Sequence, residues 1–137
     1  DPESDVSLGL SAYVGLQSRG RPVAVRTDGV AKDAYDAGKS MFETRMGQLN
    51  LSCAQCHDQR AGLKLAGAVI PEGHANGYPE YRLEWQSMGS FARRARNCMI
   101  GVRAEPLSHD SAELAALGLY LAKRAEGLKI ETPAVRP

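Results

Sequence analysis

The stretch Leu51–Gln59, LSCAQCHDQ, holds two of the chain's three cysteines and one of its three histidines within five positions, Cys53 to His57. A Cys-x-x-Cys pair has three ordinary uses. A thioredoxin-like dithiol needs a strand before it and a βαβ setting, and neither is legible here. A zinc site needs a second ligand pair at matching spacing, which one further cysteine and scattered histidines do not supply. The third use is covalent haem c attachment, with thioethers through Cys53 and Cys56 and the adjacent His57 turned to the iron. One helical turn sets the two sulfurs on the same face, and the next residue points to the metal.

The flanks suit that use. Before the motif, KDAYDAGKSMFETRMGQ (32–48) gathers Tyr35, Gly38, Met41, Phe42 and Met46 near one helical face. At the end of the chain, DSAELAALGLYLAKRAEG (110–127) reads as a helix with a capping-box-like Asp110-x-x-Glu113 at its start and Lys123, Arg124 and Gly127 at its close. Two more helices are expected. One is DVSLGLSAYVGLQSRG (5–20), stopped by Gly20 and Pro22. The other runs from about Glu84 to Asn97, on the helical spacing of Trp85, Met88, Phe91 or Ala92, and Ala95. No run of four or more residues alternates as a strand, and the longest loop is expected from about Gln59 to Tyr81.

With 137 residues and a net charge of +1, the chain fits one small domain, and bulk electrostatics favour neither nucleic acid nor an anionic membrane. No apolar run approaches the roughly 18 residues of a spanning helix, so no membrane insertion is expected. The start, DPESD, carries no basic and apolar leader, so any export signal is expected to lie outside this sequence. Two phenylalanines and one tryptophan make a thin core, and a porphyrin would supply the missing apolar mass. An odd cysteine count disfavours a disulfide framework.

A weak internal repeat is also present. Aligned on Gly20 and Gly127, Leu10 falls on Leu117, Tyr13 on Tyr120 and Val23 on Ile130. Residues 1–20 are therefore expected to be the closing helix of a preceding cytochrome-like domain. Residues 21–30 would be a linker and 31–137 the haem domain.

The residues alone leave the sixth iron position open among His74, Met88, Cys98, Met99 and His109. Methionine or histidine there suits an electron carrier, so a plain electron-transfer cytochrome with Met99 or Met88 as distal ligand is one reading. Cys98 continues the stripe Trp85, Met88, Phe91, Ala95 and stands among Arg93, Arg94, Arg96 and Arg103. Arg94 lies one helical turn before it. Guanidinium groups favour a thiolate and offer forked donors to oxyanions.

Taken together, GQLNLSCAQCHDQ, NGYPEYRLEWQ, RARNC and LGLYLAKRAEGL resemble the catalytic haem domain of SoxA, from the SoxAX cytochromes of bacterial thiosulfate oxidation, over nearly the whole chain from about Ser7. The resemblance implies one haem c carried by Cys53, Cys56 and His57. It implies a distal cysteine, commonly a persulfide, at Cys98, with Arg94 at the active site. The implied enzyme is of the L-cysteine S-thiosulfotransferase type, joining thiosulfate oxidatively to a cysteine of a SoxY-like carrier. Electrons would leave through haem and a SoxX-like cytochrome subunit, in the periplasm. The expected architecture is all-α, a class I cytochrome c-like haem domain with long loops plus a leftover N-terminal helix and linker.

Overall fold

A computed structural model describes residues 1–137. In chain order the elements are α1 (Asp5–Leu16), a 3-10 turn (Gly29–Ala31), α2 (Lys32–Glu43), α3 (Cys53–His57), β1 (Lys64–Leu65), β2 (Ala68–Val69), β3 (Glu80–Arg82), β4 (Ser87–Gly89), α4 (Phe91–Gly101), α5 (Ala112–Arg124) and β5 (Ala134–Arg136).

The core forms where α2 crosses α5. Gly38 makes the crossing possible: a Cβ there would stand 2.1 Å from the carbonyl oxygen of Ala116 and 3.0 Å from Cβ of Tyr120. Around it, Phe42 and Leu114 are almost fully buried with Ala95, Met99, Leu117, Tyr120 and Leu121. Tyr120 meets Tyr35 and Phe42 in tilted ring pairs at 5.6 and 5.3 Å, a geometry that adds to plain area burial. Cys53 and Ala54 of α3 pack against the same cluster, which fixes the haem-type motif to the helix pair.

The all-α expectation is corrected. The chain is a mixed fold, 41% helical and 12% strand, with two small sheets. The loop expected over 59–81 contains the antiparallel hairpin β1–β2. A second sheet has the order β4-β3-β5, in which β3 pairs antiparallel with β4 and parallel with β5. These strands are two or three residues long, too short to display a period of two.

The helix expected from Glu84 starts at Phe91 instead, capped by Ser90, whose Oγ accepts the Arg93 amide at 3.2 Å. Trp85 and Met88 therefore share no helical face with Ala95. Trp85 sits in the β3–β4 turn against Gly89, where an added Cβ would meet its ring at 2.3 Å. The buried stripe of α4 is Ala95 and Met99, and Cys98 stands beside it, one turn after Arg94. At α5 the cap is Ser111, accepting from the Leu114 amide at 3.3 Å, in place of the expected Asp110 box.

The repeat has a geometric counterpart. Gly20 and Gly127 take the same left-handed φ, +84° and +83°, and the segments that follow them pair antiparallel. The Gly20 amide donates to Ile130 O at 2.8 Å, and Gly127 to Val23 O at 2.9 Å. Val23 donates to Leu128 O and Ile130 to Arg21 O, both at 2.8 Å. Exchanging each residue for its repeat equivalent turns each bond into its partner, so a local two-fold relates the halves. Burial does not follow it: Leu117 and Tyr120 are buried, whereas Leu10 and Tyr13 are 64% and 66% exposed.

Candidate haem site

The motif helix is set by its cap. Ser52 Oγ accepts the Gln55 amide at 3.3 Å, and Gln55 Oε1 accepts the Ser52 amide at 2.9 Å, a closed capping box. The lead-in is bound to the end of α4: Gln48 and Leu49 donate their amides to Arg103 O and Val102 O at 3.2 and 3.3 Å. Gly47, at φ +68°, lies so close that a Cβ would be 2.2 Å from Val102 O. The GQLNLS segment thereby fastens the helix of Cys53 and Cys56 to the helix of Cys98.

His57 is oriented by Pro71. Its Nδ1 lies 2.7 Å from the Pro71 carbonyl oxygen, an acceptor only, so Nδ1 carries the proton and Nε2 keeps its lone pair. That tautomer is the one a metal requires. All three cysteines are unpaired thiols. A haem c attached at Cys53 and Cys56 suits this donor set, with His57 Nε2 available to iron from one side.

The third sulfur lies within electrostatic reach of the other two. The charge of Cys98 is felt at Cys53, and that of Cys56 at Cys98. Burial, with Cys98 as the second cause, pushes the Cys53 thiol up to about 11. Cys98 is exposed as a residue, yet burial around its sulfur still pushes the thiol up, while Arg94 and then Arg82 pull it back and Cys56 and Glu84 push it further. Two guanidinium groups therefore favour anionic sulfur at this position.

Those guanidinium groups are themselves held. Arg94 Nη1 donates to Glu84 Oε1 at 3.3 Å, Arg82 Nε to the same oxygen at 2.9 Å, and Arg82 Nη1 to the buried Glu80 at 3.0 Å. The phenol of Tyr78, edge-on to Phe91 at 5.6 Å, feels Glu80, Arg94, Arg82 and Cys98. Sequence reading missed Tyr78, Arg82 and Glu84. Their signal was YPEYRLE itself, where charges of alternating sign recur at every second position, Glu80, Arg82 and Glu84.

The expected arginine cluster is split. Of the four, it is Arg94 whose charge acts on the Cys98 sulfur. Arg93 donates to Ser87 Oγ at 3.1 Å and lies over Trp85 at 4.3 Å. Arg103 lines a cleft of about 600 Å³ with Met41, Met46 and Met99, none of the three cysteines among its walls. Met99 is packed in the core, and Met88 sits on β4 opposite Tyr81. His74 lies 3.6 Å from Glu72, and His109 falls in the turn before α5.

Residues 37–130 match the family model described as SoxA/TsdA, cytochrome c domain. The SoxA subunit of L-cysteine S-thiosulfotransferase from Pseudaminobacter salicylatoxidans is 39% identical over 135 residues, covering 98% of this chain and 47% of that protein. Its counterpart from Paracoccus pantotrophus is 38% identical over 133 residues, covering 97% and 46%. The crystal structure of SoxXA from P. pantotrophus superposes with a TM-score of 0.97 at 37% identity, covering all of this chain and 52% of that one. The chain thus spans about half the length of these relatives. The family match spans well over half of the chain and the relatives agree with it in sequence and in shape, so the chain belongs to the SoxA/TsdA cytochrome c domain family.

Proposed function

We propose that this chain is the catalytic haem domain of a thiosulfate-oxidising enzyme of the L-cysteine S-thiosulfotransferase type. Cys53 and Cys56 would hold one haem c through thioethers, and His57 and Cys98 would be the residues that bind its iron. The observation that supports this reading is that Cys98 lies within electrostatic reach of Cys53 and Cys56 and also of the cations Arg94 and Arg82. An electron carrier needs no cationic pair at a ligand sulfur. An enzyme that must hold a sulfur dianion beside a thiolate does.

In this reading Arg94 and Arg82 bind the sulfonate oxygens of thiosulfate, and its outer sulfur faces Cys98. The Cys98 thiolate and thiosulfate join with loss of two electrons, giving a cysteine–S–S–sulfonate. A thiolate of a SoxY-like carrier then attacks the sulfur next to the sulfonate and takes the S–sulfonate group, and the Cys98 thiolate leaves. A bound haem supplies one-electron acceptance and passage, so the second electron calls for a partner cytochrome of the SoxX type. The neighbouring crystal structure of a SoxXA complex supports that partner. Haem c attachment and thiol oxidation belong to an oxidising compartment, hence the periplasm, and no helix is long and apolar enough to cross a membrane.

We further infer that α1 closes a second cytochrome-like unit, with residues 31–137 as the haem domain. The local two-fold through 20–23 and 127–130, and the exposure of Leu10 and Tyr13 where their equivalents are buried, support that division. The enzymatic reading is tested by Cys98→Ala in the complete complex, where thiosulfate-dependent electron release should vanish. Unchanged turnover would refute it.

A further inference from the structure

We propose that Arg124 is a positioning residue for His57, acting through the loop that holds the imidazole. This rests on the reading of His57 as an iron ligand. Arg124 Nη2 donates to Asp58 Oδ1 at 2.6 Å and to the carbonyl oxygen of Glu72 at 2.9 Å. Asp58 follows His57 and Glu72 follows Pro71, the donor and acceptor of the 2.7 Å imidazole bond. One nitrogen on α5 therefore ties together both ends of the segment that the imidazole bond closes.

The guanidinium is itself fixed. It lies over the Phe42 ring at 4.7 Å and over Tyr120 at 5.9 Å, and Phe42 stands 6.5 Å from the His57 ring. Its neighbour Lys123 points elsewhere, to Val25 O at 3.4 Å and to Glu126. The half-exposed ion pair with Asp58 alone would contribute little. The bond to the Glu72 carbonyl is what a simple ion pair does not need and a clamp on the loop does. Between the clamped ends runs the chain of β1–β2, with Leu63, Leu65 and Val69 exposed and little packing of its own. The loop's order then depends on its anchors.

An imidazole whose Nδ1–H donates to a carbonyl is a more basic ligand and favours ferric iron. Loosening that bond raises the reduction potential. The test uses the haem-loaded protein with Arg124→Leu, Arg124→Lys and Lys123→Leu. It reads the midpoint potential and, by proton magnetic resonance, the exchange of the His57 Nδ1 proton with water. Arg124→Leu should shift the potential upward and speed exchange by about tenfold or more, the signature of easier local opening. Arg124→Lys, whose flexible ammonium keeps two donors for the acceptors but loses the flat group stacked on Phe42, should shift both in the same direction by less, and Lys123→Leu should shift neither. Should Arg124→Leu fail to accumulate with haem, the lysine variant decides alone. An unchanged potential and exchange rate, with or without lower thermal stability, overturn the proposal. A parent protein whose haem is not ligated by His57 overturns it together with the proposed function, and that result is read from the parent before any variant is made.

Discussion

Gly38 of α2 lies against Ala116 of α5 so closely that a methyl group on it would stand 2.1 Å from the Ala116 carbonyl oxygen. The obstacle is backbone, so the helices must part. Overpacking of this kind costs about 1–3 kcal/mol or more. Gly38→Ala is expected to lower the unfolding free energy of the haem-loaded protein by at least that amount in a denaturant titration, and the midpoint with it. Gly9→Ala, with nothing within 4 Å of its added Cβ, is expected to leave the midpoint unchanged or raise it slightly, as alanine is the better helix former.

Arg94 and Arg93 are adjacent in sequence and differ in task. The first bears on Cys98, and the second is spent on Ser87, Met88 and Trp85. A hydrogen bond to a charged group contributes about 1.5–3 kcal/mol, which corresponds to roughly 10- to 100-fold in affinity. In the complete complex, Arg94→Gln should raise KM for thiosulfate by that factor. Arg93→Gln should lower stability and leave KM where it was. Equal effects on KM would refute the assignment.

Tyr78 gives the site a dependence on alkaline pH. Burial, and then the charge of Glu80, hold its phenol well above the usual tyrosine range. Above its ordinary value near 10, the unfolded chain has lost a proton that the native protein keeps. Stability is therefore fully retained below that pH and falls as pH climbs toward the folded value. Tyr78→Phe should flatten the decline in unfolding free energy between about pH 10 and 11.5 relative to the parent. A parallel decline in both proteins would show that the phenol is not shielded.

What the sequence made legible was local. The CAQCH turn, the apolar faces of α2 and α5, and the terminal Gly20 and Gly127 each declare themselves within a few residues. The sheet does not. β3 and β5 pair in parallel across more than fifty residues, Glu80 with Ala134 and Arg82 with Arg136, and three-residue strands carry no period to read. Trp85 and Met88 fall on helical spacing with Phe91 by coincidence, and that coincidence hid both the β3–β4 hairpin and the true start of α4. At the candidate site, the one-turn spacing of Arg94 and Cys98 was legible because one helix carries both. Arg124 was not, and neither was the link from Glu84 to Arg94, since those partners lie on other elements and only tertiary contact reveals them.

The central claim is that iron is held between the imidazole of His57 and the sulfur of Cys98. Iron-edge X-ray absorption on the ferric, haem-loaded parent, Cys98→Ala and Met99→Leu tests it most directly. The account predicts a sulfur scatterer bound to iron in the parent and in Met99→Leu, and none in Cys98→Ala. A parent without iron-bound sulfur, or a sulfur shell that survives Cys98→Ala and disappears in Met99→Leu, would contradict it.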